Sequence, residues 1–164
     1  MDKVTKIVEA AATIAKQLHE GQVDKAGEDY FSGHLTSVAS MEKTWQEQVV
    51  GYLHDASEDT SHTVNEVWDM LDAELGTSLS LSDKEELGKA LRLLNHHTST
   101  DRESYICTIG ANALATAVKL NDFTLNMDLS RLPNPTDKDL TRVERNKQEF
   151  EHLKGLQGDG TEKI

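Results

Sequence analysis

Both prolines of the chain, Pro133 and Pro135, stand in the short run 132–136. Residues 1–132 are therefore free of the one residue that removes a backbone donor and collides with the preceding helical turn. The apolar residues of this stretch recur as buried helices require. Over 3–19, Val4, Ile7, Val8, Ala11, Ile14, Ala15 and Leu18 fall three and four apart, which lines one helical face for burial. Val64, Val67, Trp68 and Leu71 do the same over 63–75, with Gly76 as the stop. No sustained period-two alternation with turn glycines occurs, so the expected fold is all-α, a compact multi-helix bundle.

The remaining elements are read from the same signals. Residues 21–33, with glycines among charged residues, form a loop that delivers Tyr30 and Phe31 to the body. A helix starts near His34, and a mostly buried helix runs from Val38 through His54 to Ser57, ending in the cluster Ser57-Glu58-Asp59-Thr60. Ser82 and Glu85 form a capping box for a helix reaching Leu94. Residues 102–109 form a shorter helix, and 112–129 a longer one capped by Asn112. Residues 137–156 form a charged closing helix; one domain spans 1–156, and 157–164 is a loose tail.

A chain of 164 residues can bury a core without disulfides, and its single cysteine, Cys107, asks for no oxidising compartment. The segment 1–17 is interrupted by Lys3, Lys6 and Glu9, and no stretch approaches the roughly 20 apolar residues of a membrane span. A cytoplasmic protein without membrane association is expected, its oligomeric state left open. The net charge of −12 argues against nucleic acid as a partner, because that binding neutralises phosphates with Lys and Arg. A small phosphorylated ligand is still compatible with such a chain where a cation offsets the repulsion.

His54, Asp55, Glu58 and Asp59 fall within six positions of the expected helix. His54 with Glu58, and Asp55 with Asp59, are four apart, which would place both pairs on one face. Carboxylates gathered in a partly dry site repel one another unless a cation compensates them, whereas a solvated helix end is the ordinary alternative. Asp122 and Asn126 share a second helical face, where a structural hydrogen-bonded pair is the ordinary alternative.

The stretches AKQLHEGQVDKAGEDYFSGH, VVGYLHDASEDT and AVKLNDFTLNMDLSRL, in this order, resemble the HD superfamily of metal-dependent phosphohydrolases. Within it they are most similar to the hydrolase domain of the RelA/SpoT alarmone enzymes and their small stand-alone relatives. The resemblance implies an HD-domain bundle and a divalent cation, manganese foremost, held by His34, His54, Asp55 and Asp122. It implies that Glu58 and Asp59 position or activate the attacking water, and that Asn126 supports a nucleotide substrate. The implied reaction is removal of the 3′-pyrophosphate from guanosine 3′,5′-bis(diphosphate). Other nucleotides such as a nucleoside monophosphate, or metal and nucleotide binding without turnover, are the alternatives. Imidazole with carboxylates suits manganese, and such a cation polarises a phosphoryl oxygen and acidifies bound water.

Two departures accompany the resemblance. The family reads Gly-Glu-Pro-Tyr-Ile, one further residue and His-Pro, whereas residues 27–35 are one residue longer and lack both prolines. Where the family has an arginine-lysine pair near the guanosine, this chain has Asp24 and Lys25, leaving Lys25 as the substrate-binding candidate. His19 is read as packing or capping, and His96-His97 as a helix end favoured by the dipole. Lys119 and Arg131 are read as solvated or snorkelling side chains, and Cys107 as core.

Overall fold

The structure, a computed structural model, describes residues 2–132 and 134–162. Pro133 and the side chain of Arg131 lie outside the described residues, as do Lys163 and Ile164 of the expected tail. The described residues form an all-α bundle with no strand; an isolated antiparallel bridge, Val23 to Asp29, pinches the loop after the first helix.

Helix α1 (Lys3–Leu18) is capped by Asp2, whose carboxylate accepts from Thr5 N at 2.7 Å, and it buries Ile7, Ala10, Ala11, Ile14 and Ala15. It packs against α3 (Trp45–Leu53) and α5 (Val64–Leu75). The latter opens with a capping box formed by Thr63 and Glu66 and closes on Gly76, whose φ of 74° is left-handed. Helix α8 (Ala113–Asn126) starts at the Asn112 cap as expected. Helices α3 and α8 sit at the centre, packed on each other and each touching α6 (Leu81–Leu94) and α2 (Thr36–Ser40). The candidate site is built on these two helices.

The single helix expected from Val38 to Ser57 is three. Helix α2 stops at Ser40; α3 starts afresh behind Thr44, whose hydroxyl accepts from Glu47 N at 3.1 Å; and α4 (Ala56–Asp59) follows a break at His54-Asp55. The Thr44-x-x-Glu47 spacing is a cap signature, lost to view inside a continuous apolar pattern. Gly51 permits the close approach of α2 over α3, because a Cβ there would meet the Ala39 Cα at 3.2 Å.

Other boundaries also move. Helix α6 is capped by Ser80, not Ser82, with Ser80 Oγ accepting from Asp83 N at 3.1 Å. Helix α8 ends at Asn126, and a 3₁₀ turn over Leu129–Arg131 follows. Helix α7 (Arg102–Gly110) is tied to α9 (Asp137–Glu162) by a bidentate pair, Arg102 to Glu149 at 2.7 and 3.0 Å. Helix α9 passes the expected end at 156 because the segment beyond holds glycines but no proline, and glycine weakens a helix by only about 1 kcal/mol without blocking it. Cys107, expected in the core, is exposed.

Before α2 the chain makes a π-helical turn, Phe31–Leu35, in which Thr36 N–H bonds to Phe31 O, five residues back. Such a turn holds one more residue than the α-helical one. His34 lies on it and is buried.

Candidate metal centre

His34, His54 and Asp55 each present one ligand atom, and these atoms lie within 4.8 Å of one another, all three residues being buried. The break between α3 and α4 creates this grouping. His54 caps the C-terminus of α3 and Asp55 precedes α4, so their side chains are released from the regular helical progression. His54 Nδ1–H donates to Gly51 O at 2.6 Å, which in the neutral ring leaves Nε2 as the lone-pair nitrogen. That Nε2 is fully buried without a hydrogen-bond partner, although Asp55 Oδ2 at 3.2 Å and Asp122 Oδ1 at 3.5 Å stand beside it. A buried nitrogen facing two carboxylate oxygens without a hydrogen bond suits a cation among them.

Asp122 arrives from the middle of α8. Its Oδ1 meets His34 Nε2 at 2.8 Å and accepts from Asn126 Nδ2 at 3.3 Å. Its Oδ2 accepts from Lys119 Nζ at 3.1 Å, so one oxygen faces the histidines and the other is held by the lysine. Lys119 is not solvated as expected. Its ammonium lies over the rings of Phe123 and Tyr105, 4.8 and 5.4 Å from their centroids, and Asp122 outweighs the cost of burial to hold it above the usual lysine range.

Burial works against the charge of both aspartates, yet their cationic neighbours prevail: His54 draws Asp55 down to about 2, and Lys119 with the histidines holds Asp122 well below its ordinary value. Burial also opposes charge on His54, and Asp55 and Asp122 overcome it to raise its pKa. With the His54 ring neutral, the two buried carboxylates against the Lys119 ammonium leave the centre one negative charge in excess, which a further positive charge offsets. A proton on His54 supplies one; a divalent ion supplies two and leaves the centre positive.

Tyr30, carried in by the 21–33 loop, completes the wall. Its hydroxyl donates to Asp55 Oδ2, and its ring stacks on His34 with centroids 5.0 Å apart. Burial, then Asp55, pushes its pKa far up, keeping it a donor. His19 packs on Tyr30 at 5.3 Å and donates from Nδ1 to Gln22 Oε1 at 2.8 Å, in keeping with its structural reading. Gln22 Nε2 passes the link to Asp59 Oδ2 at 3.2 Å. Burial, then the Asp55 charge, raises the Asp59 pKa above its ordinary value.

Glu58 does not join this group. Because α4 begins only at Ala56, the four-residue stacking of His54 with Glu58 does not arise, and Glu58 instead contacts His96. His34, Tyr30, Asp59 and Asn126 line a cavity of about 410 Å³, and Lys25 and Arg142 line it too. Lys25 is held below the usual lysine range by partial burial and by the charge of Arg142. Sequence reasoning missed Tyr30 as a site residue and Arg142 altogether. Tyr30 stands four residues before His34, a local cue; Arg142 is one charge among many in α9, and only the packing of that helix brings it to the cavity.

No known family model and no characterised protein matches the chain.

Proposed function

We propose that this protein is a divalent-metal-dependent phosphohydrolase of the HD type, acting on a phosphoester or pyrophosphate bond of a nucleotide. The observation that carries the reading is one cavity in which His34 of the ligand group shares a wall with Asp59, Asn126 and two cations, Lys25 and Arg142. Lys25 and Arg142 stand there among Asp24, Asp59 and Asp128, so a phosphate is accommodated where a cation in the ligand group offsets those carboxylates.

His34, His54, Asp55 and Asp122 are the residues that would hold the ion. Their imidazole and carboxylate donors fit manganese. Bound there, such an ion supplies Lewis acidity and lowers the pKa of water. The chain's own groups do the rest. Asp59, kept basic by its raised pKa and fixed by Gln22, takes a proton from the attacking water. Lys25 and Arg142 hold the phosphate or diphosphate, and Asn126, oriented by Asp122, reaches the nucleotide. Tyr30 holds Asp55 in position.

Guanosine 3′,5′-bis(diphosphate), losing its 3′-pyrophosphate, is the sharpest candidate substrate, supported by the resemblance of the three motif stretches. The π-helical turn holds one residue more than an α-helical one at the place where 27–35 is one residue longer than the family pattern, which supports the assignment of His34 to the ligand group. A second reading, hydrolysis of another nucleotide, is favoured by Asp24 at a position lining the cavity where the family has arginine. Pure protein incubated with manganese and a panel of guanosine and adenosine mono-, di- and bis(di)phosphates separates the two. Pyrophosphate release from the bis(diphosphate) is expected; turnover of no phosphorylated compound would contradict the enzyme reading.

A further inference from the structure

Glu58 and the His96-His97 pair come together away from the cavity. A carboxylate oxygen of Glu58 and one ring nitrogen from each histidine lie within 4.8 Å of one another, with Glu58 in contact with His96 Nδ1. None of the three lines the cavity described above.

Glu58 is half-buried and the two histidines are exposed, and the backbone of a short turn brings them together. His96–Thr98 is a 3₁₀ turn after α6. Asn95 caps it, accepting from His97 N at 3.0 Å, while its own Nδ2 donates to Ser57 Oγ at 3.4 Å and so fastens the turn to α4, which carries Glu58. Thr98 Oγ1 closes the turn from the other side on Asn95 O at 2.7 Å. The His96 ring stands edge-on to the buried Tyr105, 6.3 Å between centroids, and the two histidine rings are 4.0 Å apart. Two imidazoles this close repel if both are protonated, and their nitrogens with one carboxylate form a preset three-donor corner. Arg102, whose charge reaches His96, is engaged by Glu149.

We infer that Glu58, His96 and His97 form a second metal site, selective for a borderline transition metal of the zinc or nickel class, with its remaining coordination positions open to water. Two nitrogen donors and one oxygen favour such ions over magnesium or calcium, which take oxygen donors. An ion there would clamp α4 to the turn between α6 and α7.

Calorimetric titration of zinc into the full chain and into the H96Q/H97Q double variant tests the site. The variant is expected to take up one equivalent fewer than the wild type, whatever the uptake at His34, His54 and Asp55. Equal stoichiometry in the two proteins overturns the assignment. Histidine ring ¹⁵N shifts of the wild-type protein give a reading independent of the variant's folding: His96 and His97 are expected to move with zinc, and rings that stay unmoved through saturation overturn it as well.

Discussion

Glu58 and Asp59 are neighbours in the chain with opposite surroundings, and this separates their roles. Asp59 lines the cavity, accepts from Gln22 and has a pKa raised by burial and by Asp55, whereas Glu58 faces His96. Removing a general base costs about 10²–10⁴-fold in rate. Asp59→Asn is therefore expected to lower kcat by at least about 10²-fold, with Glu58→Gln within a few-fold of wild type. Steady-state rates of the two variants check this; equal losses would mean that Glu58 swings into the site during turnover. Through the resemblance, His34 and Asp122 joined His54 and Asp55, whose residue types and spacing made them legible as candidate ligands. The orientation of Glu58 was not legible, since the helix break at His54-Asp55 resets the angular relation that the four-residue spacing assumes. Lys119 was misread for a related reason: a lysine is ordinarily solvated, and only the packing of Tyr105, Phe123 and Asp122 around its ammonium reveals the buried pair.

Among the elements, the strongly one-sided helices α1 and α5 and the Asn112 start of α8 were readable from periodicity and caps, because each buries one face and exposes the other. The segment from Val38 to Ser57 was not, because its apolar residues continue across the breaks and periodicity alone cannot mark where a buried helix stops. Local caps decide such boundaries. The register at α6 is a direct case: Ser80 accepts from Asp83 N, whereas Ser82 lies within the first turn. Ser80→Ala is expected to cost about 1 kcal/mol of stability in urea denaturation and Ser82→Ala close to nothing. The reverse order would restore Ser82 as the cap. The π-helical turn at Phe31–Leu35 was beyond the reach of pattern, since it is framed by contacts with α1, α2 and α3 that local sequence does not display.

For the molecule as a whole, the bundle binds its centre together through polar as well as apolar contacts. Glu42, just after α2, is buried and accepts from Asn121 Nδ2 of α8 at 2.8 Å, while its second oxygen has no hydrogen-bond partner. Burial, against the Asn121 bond, pushes its pKa up from 4.5 to about 7. A carboxyl whose folded pKa lies above its unfolded value favours folding most when protonated. Its contribution is whole below about pH 4.5 and is lost as pH rises through about 7. Glu42→Gln keeps an acceptor for Asn121 and removes the titration. Stability measured by urea unfolding at about pH 5 and about pH 8 is expected to fall more with pH in wild type than in the variant, and equal slopes would remove Glu42 from this role.

The central claim is that His34, His54, Asp55 and Asp122 gather around a divalent cation in this all-α bundle. The most direct measurement is a manganese titration of chelator-treated protein followed by electron paramagnetic resonance, in wild type and in Asp55→Asn, with folding of both confirmed by thermal unfolding. The account predicts one tightly held manganese ion per wild-type chain and its loss in the variant. A wild-type chain that leaves manganese free in solution, or a folded Asp55→Asn chain that binds it equally well, would contradict it.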